Sequence, residues 1–159
     1  MALHVGQNPN DISSFVPMMN AAQAAATRLH DRTGNPDHVI GTVLADAGYA
    51  SDANLTAPGP DRLIALGKSR TVAESSRARP ASGPPPPDAT ARQAMDHRLR
   101  TPEGAALYRR RGATVEPGIG NLKKVIDRFS RRGLPAAASV LHLAATAFNI
   151  LKIHRAATA

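Results

Sequence analysis

The chain has no cysteine. That excludes disulfides and thiolate metal sites, and it leaves the redox compartment open. Aromatic residues are scarce: Phe15, Tyr49, Tyr108, Phe129 and Phe148 are all there are. Apolar burial must then come from Ala, Leu, Val and Ile, which favours a helix-rich fold with a modest core. The start, Met1–Asp11, has neither a basic n-region nor an apolar h-region, so no secretory signal is expected. No internal repeat is visible. Acidic residues are also few, 12 against 20 Lys and Arg, for a net charge of +8 over 159 residues.

The charge is unevenly spread. Residues 1–66 hold six Asp and three Arg, a net of −3. Residues 92–133 hold eleven Lys and Arg against four acids, a net of +7. A polyanion suits that second stretch, as does a plain solvated surface, and charge alone does not choose between them.

Prolines and glycines, 13 and 12 of them, divide the chain. Ala2–Val5 reads as the end of a strand, and Asn8–Asp11 as a turn with Asp11 capping a helix. Ile12–Leu29 carries Phe15, Met18, Met19, Ala22, Ala26 and Leu29 at helical spacing, and Gly34–Asn35–Pro36 ends it. Val39–Asp46 (VIGTVLAD) is a buried-strand candidate that ends in a carboxylate. Ser51 and Asp52 cap a short helix, and Arg62–Leu66 is a second strand. This order predicts an α/β fold with a short sheet of about three strands covered by helices.

The organisation expected is an α/β core over 1–68, a flexible Pro/Ser/Arg-rich loop over 69–89, a helical part over 90–155, and a tail, 156–159. Within the helical part, Thr101–Pro102–Glu103 starts a helix that Gly112 stops. Thr114 caps another, which runs to about Phe129. Leu134–Arg155 is the last helix, with Val140, Leu141, Ala144, Ala147, Phe148 and Leu151 as its buried stripe. Ser139, His142, Thr146 and Asn149 interrupt this apolar run, which favours a core helix over a membrane span.

Two carboxylates have a context suited to chemistry. Asp46 lies at the C-terminal end of a strand, the edge where α/β folds place ligands. Glu116 lies in the first turn of a helix, with Lys123 nearly two turns on. Carboxylates converging from two elements can hold a hard divalent cation. Two such ions about 4 Å apart can activate a nucleophile for phosphoryl transfer. The plainer readings are a helix cap for Asp46 and a helix-terminus charge or ion pair for Glu116.

Tyr108–Lys124 (YRRRGATVEPGIGNLKK) resembles the third-acid region of DDE-type insertion-sequence transposases. In that likeness Glu116 is the third acid, Lys123 the signature lysine, and Tyr108 and Arg111 the signature tyrosine and arginine. Val43–Ser51 (VLADAGYAS) is similar to the strand of the second acid, which makes Asp46 that acid. Asn8–Met19, Met95–Arg111 and Asn149–Arg155 extend the likeness over most of the chain outside the proline-rich loop.

The resemblance implies a partial RNase H-like fold and an enzyme that cleaves and transfers DNA strands with Mg2+. Asp46 and Glu116 would be its catalytic metal ligands. Arg109, Arg110, Arg111, Lys123 and Lys124 would contact DNA phosphates, and Tyr108 would position DNA or the active-site helix. It also implies a cytoplasmic, nucleoid-associated bacterial protein that works on the ends of a mobile element, with no membrane partner. The family's first Asp has no counterpart here: the likeness begins near the third strand, and Asp11 sits at a cap. Four residues, not three, separate Arg111 from Glu116, and Gly118–Ile119–Gly120 stands where bulkier residues are usual. The chain alone is therefore expected to be inactive. The missing acid would come from an absent N-terminal half or another transposase copy. A non-catalytic basic DNA-binding remnant and a small helical interaction protein are the alternatives.

Overall fold

The computed structural model describes residues 3–6, 10–126 and 128–158, apart from the side chains at 114–117 and 124. Two three-residue strands lie at its centre. β1 (Val43–Ala45) pairs in parallel with β2 (Arg62–Ile64), with Leu44 opposite Leu63. A parallel pair needs a crossover. Here a 3-10 turn, Ala47–Tyr49, and the short helix α2 (Asp52–Thr56) supply it. The Ser51 hydroxyl caps α2 by accepting from the Asn54 amide at 3.2 Å.

Helices cover both faces of this pair, as expected of parallel strands. Successive strand residues point to opposite sides. Leu63 therefore packs with Met95, Leu99 and Tyr108, while Ile64 packs with Phe15, Met19 and Ala45. Phe15 and Met19 come from α1 (Phe15–Thr33), one helical turn apart. Gly34 closes α1 in the left-handed region, at φ 66°, and its amide donates to the His30 carbonyl. Met95 and Leu99 come from α4 (Ala91–Arg100), which opens on a capping box between Thr90 and Gln93. Tyr108 comes from α5 (Pro102–Val125). Leu55 of α2 touches both clusters.

Several expectations change. Two strands form, not three: among the described residues Leu3–Gly6 is irregular, and Ala2 lies outside the described residues, as do residues 7–9. Asp11 precedes a 3-10 turn, Ile12–Ser14, but its side chain makes no capping bond. The segment expected to be a flexible loop begins with a helix, α3 (Ser69–Ala78). Val72 supplies the reason, because it packs against the Leu63 cluster and gives α3 an apolar anchor. Beyond α3, Arg100 donates to the Arg79 carbonyl and the Ala81 amide donates to the Arg100 carbonyl.

Gly112 and Thr114 do not divide the helical half. α5 is one helix of 24 residues, running through Gly112 and Pro117. It ends at Val125, short of Phe129. α6 (Leu134–Ala157) forms as expected, but its predicted stripe is only partly covered. Ala144 is buried, Val140, Leu141 and Phe148 are half-buried, and Ala147 and Leu151 are exposed. α6 packs mainly on α5, so its other sides keep Leu143, Ile150 and Ile153 in solvent.

A bidentate ion pair ties α4 to β2. Arg98 meets Asp61 at 2.5 and 2.6 Å, and Thr42 adds a hydrogen bond to the same carboxylate at 2.7 Å. The Arg98 hydrogen bond holds the Asp61 carboxyl at about 2, below its usual 3.8, against an opposing desolvation effect. A depressed carboxyl contributes stability above its unfolded pKa and loses it as pH falls through the folded one. The window is therefore from about pH 4 down to about pH 2. The pair is half exposed, so its contribution is about 1 kcal/mol. Asp61→Asn should lower unfolding stability by about that much at pH 6, and the deficit should vanish near pH 2. Urea unfolding of both proteins across this range measures it; a deficit independent of pH would exclude the ion pair as its source.

Candidate functional site

Asp46 follows β1 directly, at the C-terminal edge of the sheet. Its Oδ1 accepts from the Gly48 amide at 3.0 Å, the local turn that starts the crossover. Its Oδ2 accepts from Arg111 of α5 at 2.8 Å. The capping reading and an ion pair thus both hold for this carboxylate. Asp46 is 46% exposed and Arg111 20% exposed.

An apolar cleft of about 490 Å³ runs from this pair along the side of β1, past Val43, Ile40, Phe15 and Met19. Tyr49 stands at the same end, its ring centroid 5.7 Å from that of Phe15. Burial pushes the Tyr49 phenol above its ordinary pKa, and the negative charges of Asp11 and Asp46 add to this. Arg111 opposes them. A site with that balance of charges keeps the phenol protonated and able to donate.

α5 brings the other candidates into one element. Tyr108 is buried in the Leu63 cluster, 6% exposed, one turn from Arg111 on the inward side. Arg109, Arg110 and Lys123 lie on the exposed side. The side chains of Glu116 and Lys124 lie outside the described residues. The helix backbone nevertheless fixes position 116 about 7.5 Å along the axis from Arg111, at 1.5 Å per residue. Five residues also turn position 116 about 140° round the helix from Arg111, so what the structure joins to Asp46 is Arg111 of the same helix. Among the described residues no three carboxylates or imidazoles converge as a metal site.

Tyr108 has a feature that its spacing did not announce. Its phenol oxygen is buried and has no hydrogen-bond partner among the described residues. Leaving a buried hydroxyl unpaired costs about 1–3 kcal/mol. The tyrosine also lines a second cleft, of about 630 Å³, between α5 and α3. Arg77 and Ser76 of α3 line it too. A loop reading of residues 69–89 hid them. The available signal was the spacing of Val72, Ala73 and Ser76, which share one face of a helix.

Residues 86–154 match the family model described as the transposase DDE domain. Neither the curated proteins nor the solved structures give a match. The matched segment holds α4, α5 and most of α6, and with them Tyr108, Arg109, Arg110, Arg111, Glu116, Lys123 and Lys124. Asp46, the sheet and α3 lie before it. The helical half of this chain is therefore similar to a DDE-type transposase, and a function related to transposition follows from that likeness.

Proposed function

We propose that this chain is part of a DDE transposase whose RNase H-like core is incomplete within these residues, and that it binds the DNA ends of a mobile element. The observation that supports this best is the link from Asp46, at the strand edge, through Arg111 to the helix that carries Glu116. Exposed Arg109, Arg110 and Lys123, with Lys124, hold the phosphates. Tyr108 sets the position of α5 from within the core.

The oxygen donors of Asp46 and Glu116 are of the right type for Mg2+, which in this family supplies the charge that activates the attacking oxygen. Their number does not suffice, because a two-metal site asks for a third carboxylate. In the proposed enzyme that carboxylate comes from a strand outside this sequence. Such a strand would add to the open edge of β1, over the cleft by Phe15 and Met19. No catalytic step is assigned to the chain alone.

A second reading, a non-catalytic DNA-binding remnant, draws on the same ion pair. Arg111 neutralises Asp46 and takes one of the oxygens that a metal would use.

The purified chain should bind duplex DNA at low salt and lose affinity steeply as salt rises. Arg109→Ala should reduce the slope of log affinity against log salt by about 1. Mg2+ should not induce cleavage of a cognate end. Addition of the upstream, Asp-bearing segment should restore Mg2+-dependent cleavage that Asp46→Ala and Glu116→Ala abolish. DNA binding without such rescue leaves the remnant reading in place. Failure to bind duplex at low salt would overturn both readings.

A further inference from the structure

We propose that His30 and His38, where α1 gives way to β1, form a two-imidazole site for a divalent transition-metal ion such as Zn2+ or Ni2+. The inference stands apart from the DNA-binding reading. Both residues precede the matched segment and lie in the acidic part of the chain.

The hydrogen bonds fix the tautomer of both rings. The His30 Nδ1 lies 2.9 Å from the Asn35 carbonyl, which can only accept, so this nitrogen carries the proton. The His38 Nδ1 lies 2.8 Å from the Thr33 hydroxyl. That hydroxyl has one proton and donates it to the Leu29 carbonyl at 2.8 Å, so the His38 Nδ1 must donate as well. Each neutral ring then keeps its lone pair on Nε2. An Nδ1 proton held by an oxygen, with Nε2 left bare, is the arrangement that orients metal-binding histidines and raises their basicity. Neither Nε2 has a partner among the described residues. Neither is sealed from solvent: the sealed, unpartnered side-chain atoms there are the His97 Nδ1 and the Tyr108 hydroxyl oxygen.

The same few atoms gather both rings around one turn. His30 and Thr33 are three residues apart on α1 and so are neighbours on its surface. The Thr33 hydroxyl holds the His38 ring, while the Asn35 carbonyl holds the His30 ring and also accepts from the His38 amide at 3.2 Å. Gly34 turns the chain between them at φ 66°. An ion here would sit at the C-terminal end of α1, where the helix dipole favours positive charge. Nearby side-chain charges cancel, Asp31 and Asp37 against Arg28 and Arg32, so ligand type rather than field selects the ion. Imidazole selects Zn2+, Ni2+ and Cu2+ over Mg2+ and Ca2+. No third carboxylate or imidazole joins the pair among the described residues. The remaining coordination positions therefore fall to water or to a second molecule.

The test uses the full chain, titrated with Zn2+ alone and, in parallel, with Ni2+ and Mg2+. In heteronuclear NMR spectra of the histidine rings, Zn2+ should shift the Nε2 signals of His30 and His38 together and leave both Nδ1 protons in place. Mg2+ should shift neither. By calorimetry, His30→Ala and His38→Ala should each weaken Zn2+ binding about tenfold, against less than about twofold for His142→Ala, which removes an exposed imidazole on α6. Thr33→Val keeps both rings but removes the hydroxyl that orients one, and it should also weaken Zn2+ about tenfold. The assignment is overturned if Zn2+ leaves both Nε2 signals unmoved, if it moves only one, or if the three histidine variants bind alike. The spectra are read on the unaltered chain, so they decide the question even where a variant fails to fold. Duplex binding at low salt is measured separately and does not depend on any of these outcomes, so failure of the metal site is distinct from failure of the DNA-binding reading.

Discussion

Gly104→Ala is expected to destabilise the protein by about 3 kcal/mol, the upper range for forcing a group into a packed interior. Gly104 sits in the first turn of α5, where its amide donates to the Thr101 hydroxyl at 3.0 Å. A methyl group there would overlap the carbonyl of Arg98 in α4. That carbonyl cannot retreat cheaply. It accepts from both the amide and the hydroxyl of Thr101, at 3.2 and 2.9 Å, and these bonds set the elbow between the two helices. Arg98 is also held by Asp61. The strain must open the elbow, and Met95, Leu99 and Tyr108 would separate with it. Gly118→Ala is the internal contrast. It lies in the same helix with open space around the added carbon, so it should stabilise by about 0.5–1 kcal/mol. Urea midpoints of the two variants should move in opposite directions. Equal shifts would mean that helix propensity alone governs both sites.

Leu63→Ala is the second large effect. Leu63 is fully buried, and removing three carbons from such a site costs about 2–5 kcal/mol. A domain of this kind has about 5–15 kcal/mol in all. The informative part is the form of the transition. Leu63 and Ile64 are neighbours on β2, yet they serve opposite faces, one against α4 and α5 and the other against α1. A shared strand makes the two clusters one cooperative unit, so Leu63→Ala should lower a single unfolding transition seen by every probe. If Tyr49, on the α1 face, kept its native signal while Tyr108 lost its own, the faces would be independent and this account would fail.

The sequence made the elements legible where local chemistry was strong. Gly34 ended α1, Thr101–Pro102 opened α5, Ser51 capped α2, and both short strands lay within their apolar runs. It misled where tertiary contact overrode local preference. α3 is polar along most of its length, and one valine reaching the core suffices to seat it. Gly112 reads as a stop, yet α5 continues because Tyr108 and Arg111 are engaged on its inward side. For α6 the error ran the other way: an apolar composition promised burial that the neighbouring elements do not provide. At the candidate site, the strand-end position of Asp46 was legible from Val39–Asp46. Its engagement by Arg111 was not, because 65 residues separate them. The cleft on α3 was hidden for the same reason, since its two walls are distant in sequence.

Among the described residues, two ion pairs that join distant segments share a pattern. Asp46 and Asp61 come from the acidic first part of the chain, and Arg111 and Arg98 from the basic second part. Each pair cancels charge at the seam. The exposed charges on either side include Asp11, Asp31, Asp37 and Asp52 beside Arg28 and Arg32 in the first part, and Arg109 and Lys123 in the second. The molecule is thus a permanent electric dipole as well as a cation. In the field of an approaching polyanion, net charge produces attraction and the dipole produces torque. In the proposed DNA complex this torque would turn the basic helix toward the strand before contact, so that fewer encounters would be wasted on the wrong face.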